Sequence, residues 1–189
     1  MEINDALLDV LVIAGQSGSG KSSLAREVCR QLNCSLASFG SFVRFEAKQR
    51  GIEPKIASLQ SLGQDMITEF GPVIFTHKVL LSTDREQSGN NLVTLEGVRN
   101  GEIYSAVMTM SRRSLLVYLD VGRETRMARL RERESIDLHA LLASMNHPLE
   151  TGVPNLKALA DLVLYDQAVD VLTARVIELL ASRGLIDRG

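Results

Sequence analysis

Apolar positions along the chain form two kinds of pattern, short unbroken runs of strand length and longer stretches with helical spacing. Asp9 to Ala14 (DVLVIA) is an uninterrupted run, as expected of a strand covered on both faces. Gly20 to Leu32 follows with helical spacing, Ser35 to Phe39 reads as a second short strand, and Phe42 to Gln49 as a helix ending at Gly51. Pro54 stands where the first turn of a helix accepts proline, and Lys55 to Phe70 continues with helical spacing until Gly71-Pro72. Val73 to Arg85 predicts a further helix, closed by the turn-like QSGNN. A strongly apolar strand then runs from Leu92 to Leu95, followed by a helix from about Gly101 to Met110. Leu115 to Leu119 is the next buried strand, and an arginine-dense helix covers about Arg123 to Arg133. Residues 135–160 are less regular, with His147-Pro148, Gly152 and Pro154. Asp161 to Tyr165 predicts the last strand, and Val169 to Ser182 an amphipathic closing helix.

Strands alternating with helices imply a parallel sheet with helices on both faces, a three-layer α/β fold. The helix-only stretch 41–88 is too large for a simple crossover and predicts an inserted helical subdomain. A chain of 189 residues is the size of one such domain.

Composition narrows the partners. Apolar residues make up 45% and charged residues 23%, enough for a continuous core and unlike a disordered chain. The net charge of −2 comes from 21 basic and 23 acidic residues, without the positive excess that non-specific nucleic-acid binding needs. The longest apolar runs, LLDVLVIAG and SLLVYL, are too short to span a bilayer. The N-terminus, MEINDALL, is acidic and lacks the basic start of a signal peptide. The expectation is a cytoplasmic protein with neither membrane nor nucleic acid as a partner. Cys29 and Cys34 have no metal-spaced His/Cys set around them and read as packing residues.

The first candidate chemistry is GQSGSGKS, residues 15–22, placed between a strand and a helix. Gly15, Gly20, Lys21 and Ser22 meet the pattern G-x-x-x-x-G-K-[ST] in the context its mechanism requires. Glycines let successive backbone N–H groups turn inward at phosphate oxygens, and the helix N-terminus adds partial positive charge. The loop residues Gly15, Ser17, Gly18, Ser19, Gly20, Lys21, Ser22 and Ser23 are the candidate nucleotide-binding set. Lys21 would bridge the terminal phosphates and Ser22 would hold Mg²⁺ through its hydroxyl. The implied cofactors are ATP and Mg²⁺.

Which user of the phosphate this is depends on what else is present. No Asn-Lys-x-Asp occurs for guanine reading; Asn146 is followed by His147 and Pro148. Motor and transporter ATPases usually end a later strand with two acids, whereas LVTLEGVR carries one, Glu96. The sequence shows no second carboxylate placed to activate water, which disfavours hydrolysis as the main task.

Four further segments, and a short loop after the last, carry a resemblance. SFGSFVRFEAKQRG (38–51) is similar to the acceptor-site stretch of P-loop nucleoside-monophosphate kinases, with Arg44 in the position of the arginine that grips acceptor phosphate. Ser41 stands where that group usually has Asp. LEGVRN (95–100) resembles the group's Asp-Gly-x-(Pro)-Arg segment, so Glu96 would serve the metal and Arg99 would be a second phosphate clamp. Ile103 replaces the glutamine that reads adenine in adenylate kinases proper. YLDVGRETRMARLRER (118–133) resembles the strand and helix leading into the lid, with Arg129 and Arg133 on one helix face. HPLETGVPNLKALADLVL (147–164) is similar to an end-of-lid segment, and 166–168 to the loop that contacts the donor base.

The group includes adenylate, cytidylate and dephospho-CoA kinases. The resemblance, from about Asp9 to Leu180, is greatest to a largely archaeal branch known as dephospho-CoA-kinase-like or adenylate-kinase-like. It implies one P-loop kinase domain with a core of residues 1–40, 91–122 and 160–189. A helical acceptor-binding insertion at 41–90 and a lid at 123–159 would complete it. The implied activity is ATP-dependent transfer of the γ-phosphate to a small phosphorylated acceptor, most simply a nucleoside or deoxynucleoside monophosphate. Lys21, Arg44, Arg99, Arg129 and Arg133 would be the catalytic set, and Ser22 and Glu96 the metal ligands. A dephospho-CoA-kinase-like activity and a nucleotide-binding regulatory ATPase without an acceptor are the alternatives.

Overall fold

The structure is a computed structural model that describes residues 8–83, 91–134 and 138–187, the side chains of residues 133 and 134 excepted. Five strands form one parallel sheet in the order β2-β3-β1-β4-β5. They are β1 (Leu8–Ala14), β2 (Ser35–Ser38), β3 (Leu92–Glu96), β4 (Ser111–Asp120) and β5 (Leu162–Tyr165). The helices are α1 (Lys21–Leu32), α2 (Phe39–Gln49), α3 (Ile56–Leu81), α4 (Gly101–Met110), α5 (Arg123–Glu134), α6 (Leu138–Met145), α7 (Pro148–Thr151) and α8 (Val169–Ser182). A 3₁₀ segment, Val153–Leu159, joins α7 to β5.

The continuous apolar runs of the strands follow from coverage on both faces. Alternate residues of β1 face opposite ways. Val10, Val12 and Ala14 pack with α2, α3 and α4, while Leu11 and Ile13 pack with α1 and α8. Leu11, Ile13, Leu95, Leu116 and Leu119 are each less than 2% exposed or close to it, and burying such a side chain fully contributes roughly 1.5–3 kcal/mol. The strands that carry the phosphate loop and Glu96 therefore end at fixed positions.

Several boundaries depart from the sequence expectation for local reasons. The second helix begins at Phe39, three residues early, because the Ser38 hydroxyl accepts the Ser41 N–H at 3.1 Å and caps it. The two helices expected on either side of Gly71-Pro72 form one element, α3, kinked where Gly71 adopts φ 73° and ψ 161°. The second of these, expected to reach Arg85, ends at Leu81, where the Ser82 N–H closes on Lys78 O; residues 84–90, with most of the expected closing turn, lie outside the described residues. The strand expected at Leu115 begins at Ser111, since Arg112 and Arg113 both reach Asp9 on β1. The 135–160 stretch is more regular than its composition suggests, holding α6, α7 and the 3₁₀ segment. Asp161, just before β5, ties that strand's start to β4: its Oδ2 accepts the Leu116 N–H at 2.8 Å.

Among the described residues, no helix is long and apolar enough to cross a membrane. Cys29 and Cys34 are free thiols with sulfurs 3.4 Å apart, Cys34 packed against the Thr94 hydroxyl.

Candidate functional site

The site is built where β1 and β3 end and α1 begins. Gly20, at φ 94°, caps α1, and Lys21 is its first residue, 8% exposed. Gly15 and Gly18 are also at positive φ, and Ser19 N–H closes the loop on Gln16 O at 3.1 Å. Gly18 is required twice over: its φ is +82°, and a Cβ there would lie 2.6 Å from the carbonyl oxygen of Arg126. Helix α5 thus packs directly on the loop. Ser23 is exposed, one residue beyond the part of α1 that faces the site.

Ser22 and Glu96 meet across the top of the sheet. Ser22 Oγ donates to Glu96 Oε2 at 3.0 Å, and Ser38 Oγ donates to Glu96 Oε1 at 2.5 Å. Glu96 is 8% exposed and Ser38 9%, so the carboxylate is held from both oxygens. Hard oxygen donors of this kind suit Mg²⁺, which retains several waters and takes few protein ligands. No group of three His, Cys, Asp or Glu suitable for a metal occurs among the described residues. The residues present are therefore compatible with a nucleotide-bound Mg²⁺.

Beyond the loop lies a cavity of about 190 Å³. Ser17, Gly18, Lys21, Ser22 and Glu96 line it together with Arg44 and Arg99, and Arg99 lies beside the loop, its Nη1 3.5 Å from Ser17 Oγ. Polar and apolar groups share its walls, the apolar ones from Val43, Ile56, Leu59, Ile67, Phe75 and Leu149. Gln60 adds an amide to the wall, its Nε2 held by the carbonyl oxygen of Ser144 at 3.0 Å. Ile103, in the position where a glutamine would read adenine, is buried in the same wall.

The arginines divide in a way the sequence does not reveal. Arg44 is exposed on α2 and opens onto the cavity. Arg99 is partly buried and ion-paired with Glu150 on α7. Burial lowers its guanidinium to about 10, with the nearby positive charge of Arg44 adding to the fall and Glu96 opposing it; it stays charged at neutral pH. Arg129 is exposed and donates to Asp166 Oδ1 at 2.8 Å, with its other nitrogen near Gly20. Arg133 closes α5, and its side chain lies outside the described residues. The buried arginine of α5 is Arg126, 6% exposed, whose Nε donates to Val121 O at 3.0 Å and Nη1 to Ser17 O at 3.4 Å. It braces the phosphate loop.

Glu150 corrects the view that no second carboxylate comes near the loop. It is 1% exposed and accepts the N–H of Ser17 at 2.9 Å and the Ser17 hydroxyl at 2.7 Å. His147 caps α7 through Nδ1, which accepts the Leu149 N–H at 3.3 Å, a structural role.

A family profile described as an AAA domain matches residues 14–138, from the end of β1 to the start of α6. The chain belongs to that family. This AAA-domain chain is 25% identical over 182 residues to a UPF0200 protein of Thermoplasma volcanium, covering 94% of this chain and 99% of the relative. It is 32% identical over 125 residues to the cytidylate kinase of Pyrobaculum islandicum, covering 66% of this chain and 60% of the relative. Among solved structures, the shikimate kinase of Acinetobacter baumannii in complex with shikimate superposes with a TM-score of 0.63, at 15% identity, over 96% of this chain and 97% of that one. The AAA-domain chain therefore has the P-loop kinase fold, and that fold implies ATP binding at the loop.

Proposed function

We propose that the chain is an ATP-dependent phosphotransferase that moves the γ-phosphate to a small phosphorylated acceptor, a nucleoside or deoxynucleoside monophosphate first among them. The observation that carries this reading is the single cavity joining Lys21 and Ser22 of the phosphate loop to Arg44 and Arg99. A hydrolase or switch has no need of two further arginines lining the chamber into which its phosphate loop opens. A kinase does, because donor and acceptor phosphates must be held in line and away from water.

In this reading, an acceptor phosphate oxygen attacks the γ-phosphorus as the bond to the β-γ bridging oxygen breaks. Lys21 neutralises charge on the moving group, and Arg44 and Arg99 hold the acceptor anion with the forked geometry suited to phosphate. Arg129 and Arg133 complete the positive surround from the lid. Ser22 and Glu96 would hold Mg²⁺, which when bound would neutralise the β- and γ-oxygens. The acceptor phosphate is already anionic, so the transfer needs no dedicated base. The apolar side chains that α2, α3 and α4 bring to the lining, Val43, Ile67, Phe75 and Ile103, would give a flat base a face to rest on. The α2–α3 insertion is then the acceptor-binding part and residues 123–159 the lid, whose closure limits futile hydrolysis. The similarity to archaeal UPF0200 proteins and to a cytidylate kinase is in keeping with this reading.

The test is ATP turnover with and without a panel of nucleoside and deoxynucleoside monophosphates, with dephospho-CoA included. A phosphorylated product from one acceptor, with little hydrolysis in its absence, supports the proposal. Hydrolysis independent of every acceptor, with no phosphorylated product, refutes it.

A further inference from the structure

Glu150 takes no part in that mechanism, yet it is one of the most deeply buried charges among the described residues. It reaches the phosphate loop from α7, 133 residues further along the sequence. Its Oε2 accepts the Ser17 backbone N–H, and its Oε1 accepts the Ser17 hydroxyl and faces the Arg99 guanidinium. Arg99 Nη1 also lies 3.5 Å from Ser17 Oγ as a donor. A loop amide, a hydroxyl and a guanidinium converging on one pair of oxygens are the donors that a phosphate takes. Ser17 and Arg99 both line the cavity at the edge where the loop meets the acceptor chamber.

The geometry points to an anion subsite formed by Ser17 and Arg99, which Glu150 fills in this structure and which a phosphoryl group takes over by displacing it. The ligand class is a phosphate dianion or phosphate monoester, and Glu150 is the internal competitor for it. The identity of that phosphoryl group as the acceptor's rests on the kinase reading; the subsite itself rests on the three donors. Carboxylate and phosphate cannot share the position, because like charges at contact distance in a desolvated site repel strongly. Entry of phosphate therefore withdraws α7 from the loop, and with it Leu149, which forms part of the chamber wall. An occupant that must leave lowers the apparent affinity of what replaces it.

Inorganic phosphate is the probe, titrated by calorimetry into the native chain and into Glu150→Gln, which keeps volume and removes charge. Losing one charge-assisted contact that phosphate must otherwise displace should tighten phosphate binding at least about tenfold. The double variant Glu150→Gln/Arg99→Ala should lose that gain. Equal or weaker phosphate binding by Glu150→Gln, or no measurable binding by any form, overturns the inference. If Glu150→Gln does not fold, Glu150→Asp decides: it keeps the charge but draws it back from Ser17 by one methylene. A gain in the same direction supports the displacement, and equal or weaker binding refutes it. Phosphate binding is read without turnover, so the two proposals fail separately. A gain in Glu150→Gln with no acceptor phosphorylated refutes the kinase and leaves the subsite. A phosphorylated acceptor with no gain refutes the subsite and leaves the kinase.

Discussion

Ser38 is the most informative single position to change, because its hydroxyl has two jobs that can be measured apart. It donates to Glu96 Oε1 at 2.5 Å and accepts the Ser41 N–H at 3.1 Å, so it both orients the acid beside Ser22 and caps α2. A hydrogen bond to a charged group contributes roughly 1.5–3 kcal/mol, and replacing a serine N-cap by alanine costs about 1 kcal/mol. Ser38→Ala should therefore lose about 2–4 kcal/mol of stability in all. At about 2–4 °C per kcal/mol for a chain of this size, the thermal midpoint should fall by roughly 5–15 °C. Loss of a partner that orients a metal-binding acid should raise the Mg²⁺ needed for half-maximal nucleotide binding or turnover by about 10–100-fold. Ser38→Gly separates the two effects. Glycine is tolerated at an N-cap within a few tenths of a kcal/mol but has no hydroxyl for Glu96, so it should share the Mg²⁺ defect and recover about 1 kcal/mol of stability. The assay is calorimetric nucleotide binding across a Mg²⁺ series, beside thermal melts. If both variants melt lower but keep the native Mg²⁺ midpoint, Glu96 does not serve the metal in the orientation seen here, and the argument for that pair fails.

Three other expectations follow from particular contacts. Arg99→Ala should lower kcat/KM for the acceptor by about 10–100-fold, the worth of a charge-assisted phosphate contact, with ATP affinity largely kept; a collapse of ATP affinity with unchanged acceptor kinetics would contradict it. Gly18→Ala should cost at least about 1–2 kcal/mol, because left-handed backbone penalises a side chain. It should also weaken nucleotide binding, since its Cβ would meet the Arg126 carbonyl at 2.6 Å; melts and nucleotide titration check both. Burial alone would raise the Asp9 carboxyl, but hydrogen bonds from Arg112 and Arg113 outweigh it and hold it at about 2, below the ordinary 3.8. Its folded value is depressed, so its contribution is full above about pH 4 and is lost as pH falls toward 2. Both arginines are substantially exposed, which discounts the effect to about 1 kcal/mol. The difference in stability between Asp9→Asn and the native chain should shrink across that window in acid denaturation.

The sheet and the phosphate loop were legible because each is specified locally. DVLVIA is apolar throughout because α1 and α8 cover one face of β1 and the α2–α4 layer the other. GQSGSGKS needs only its own glycines and the helix that follows. The break at Gly71-Pro72 was legible for the same reason. The partners that organise the site were not, since they meet over long stretches of chain. Glu96 is 58 residues from Ser38, Arg126 is 109 from Ser17, and Glu150 is 133 from Ser17. Helical spacing distinguishes the arginines of α5 by face, but only packing shows that Arg126 turns to the loop while Arg129 reaches Asp166. A serine three residues before a helical turn was the one available signal for Ser38, and it marks a cap rather than a partner of Glu96. Glu150 had no signal, being one acid among 23 acidic residues.

Glu150 also bears on the choice between kinase and hydrolase, which the sequence decided on the absence of a second acid. A second acid is present, so the distinction has to rest on what that acid can do. A general base needs a free lone pair directed at a water and a proton affinity not already spent on cations. Both oxygens of Glu150 are engaged, by the Ser17 amide, the Ser17 hydroxyl and Arg99, and the residue is 1% exposed. A carboxylate so held has no oxygen directed at a water to take its proton. Acceptor-independent ATP hydrolysis measured in Glu150→Gln tests this directly. If Glu150 activated water, hydrolysis would fall by about 10²–10⁴-fold, the usual loss of a general base. The contacts call instead for a rise, since removing the charge frees Arg99 to move toward the phosphates. A fall of that size would make Glu150 the base of a hydrolase and count against the kinase reading of the cavity.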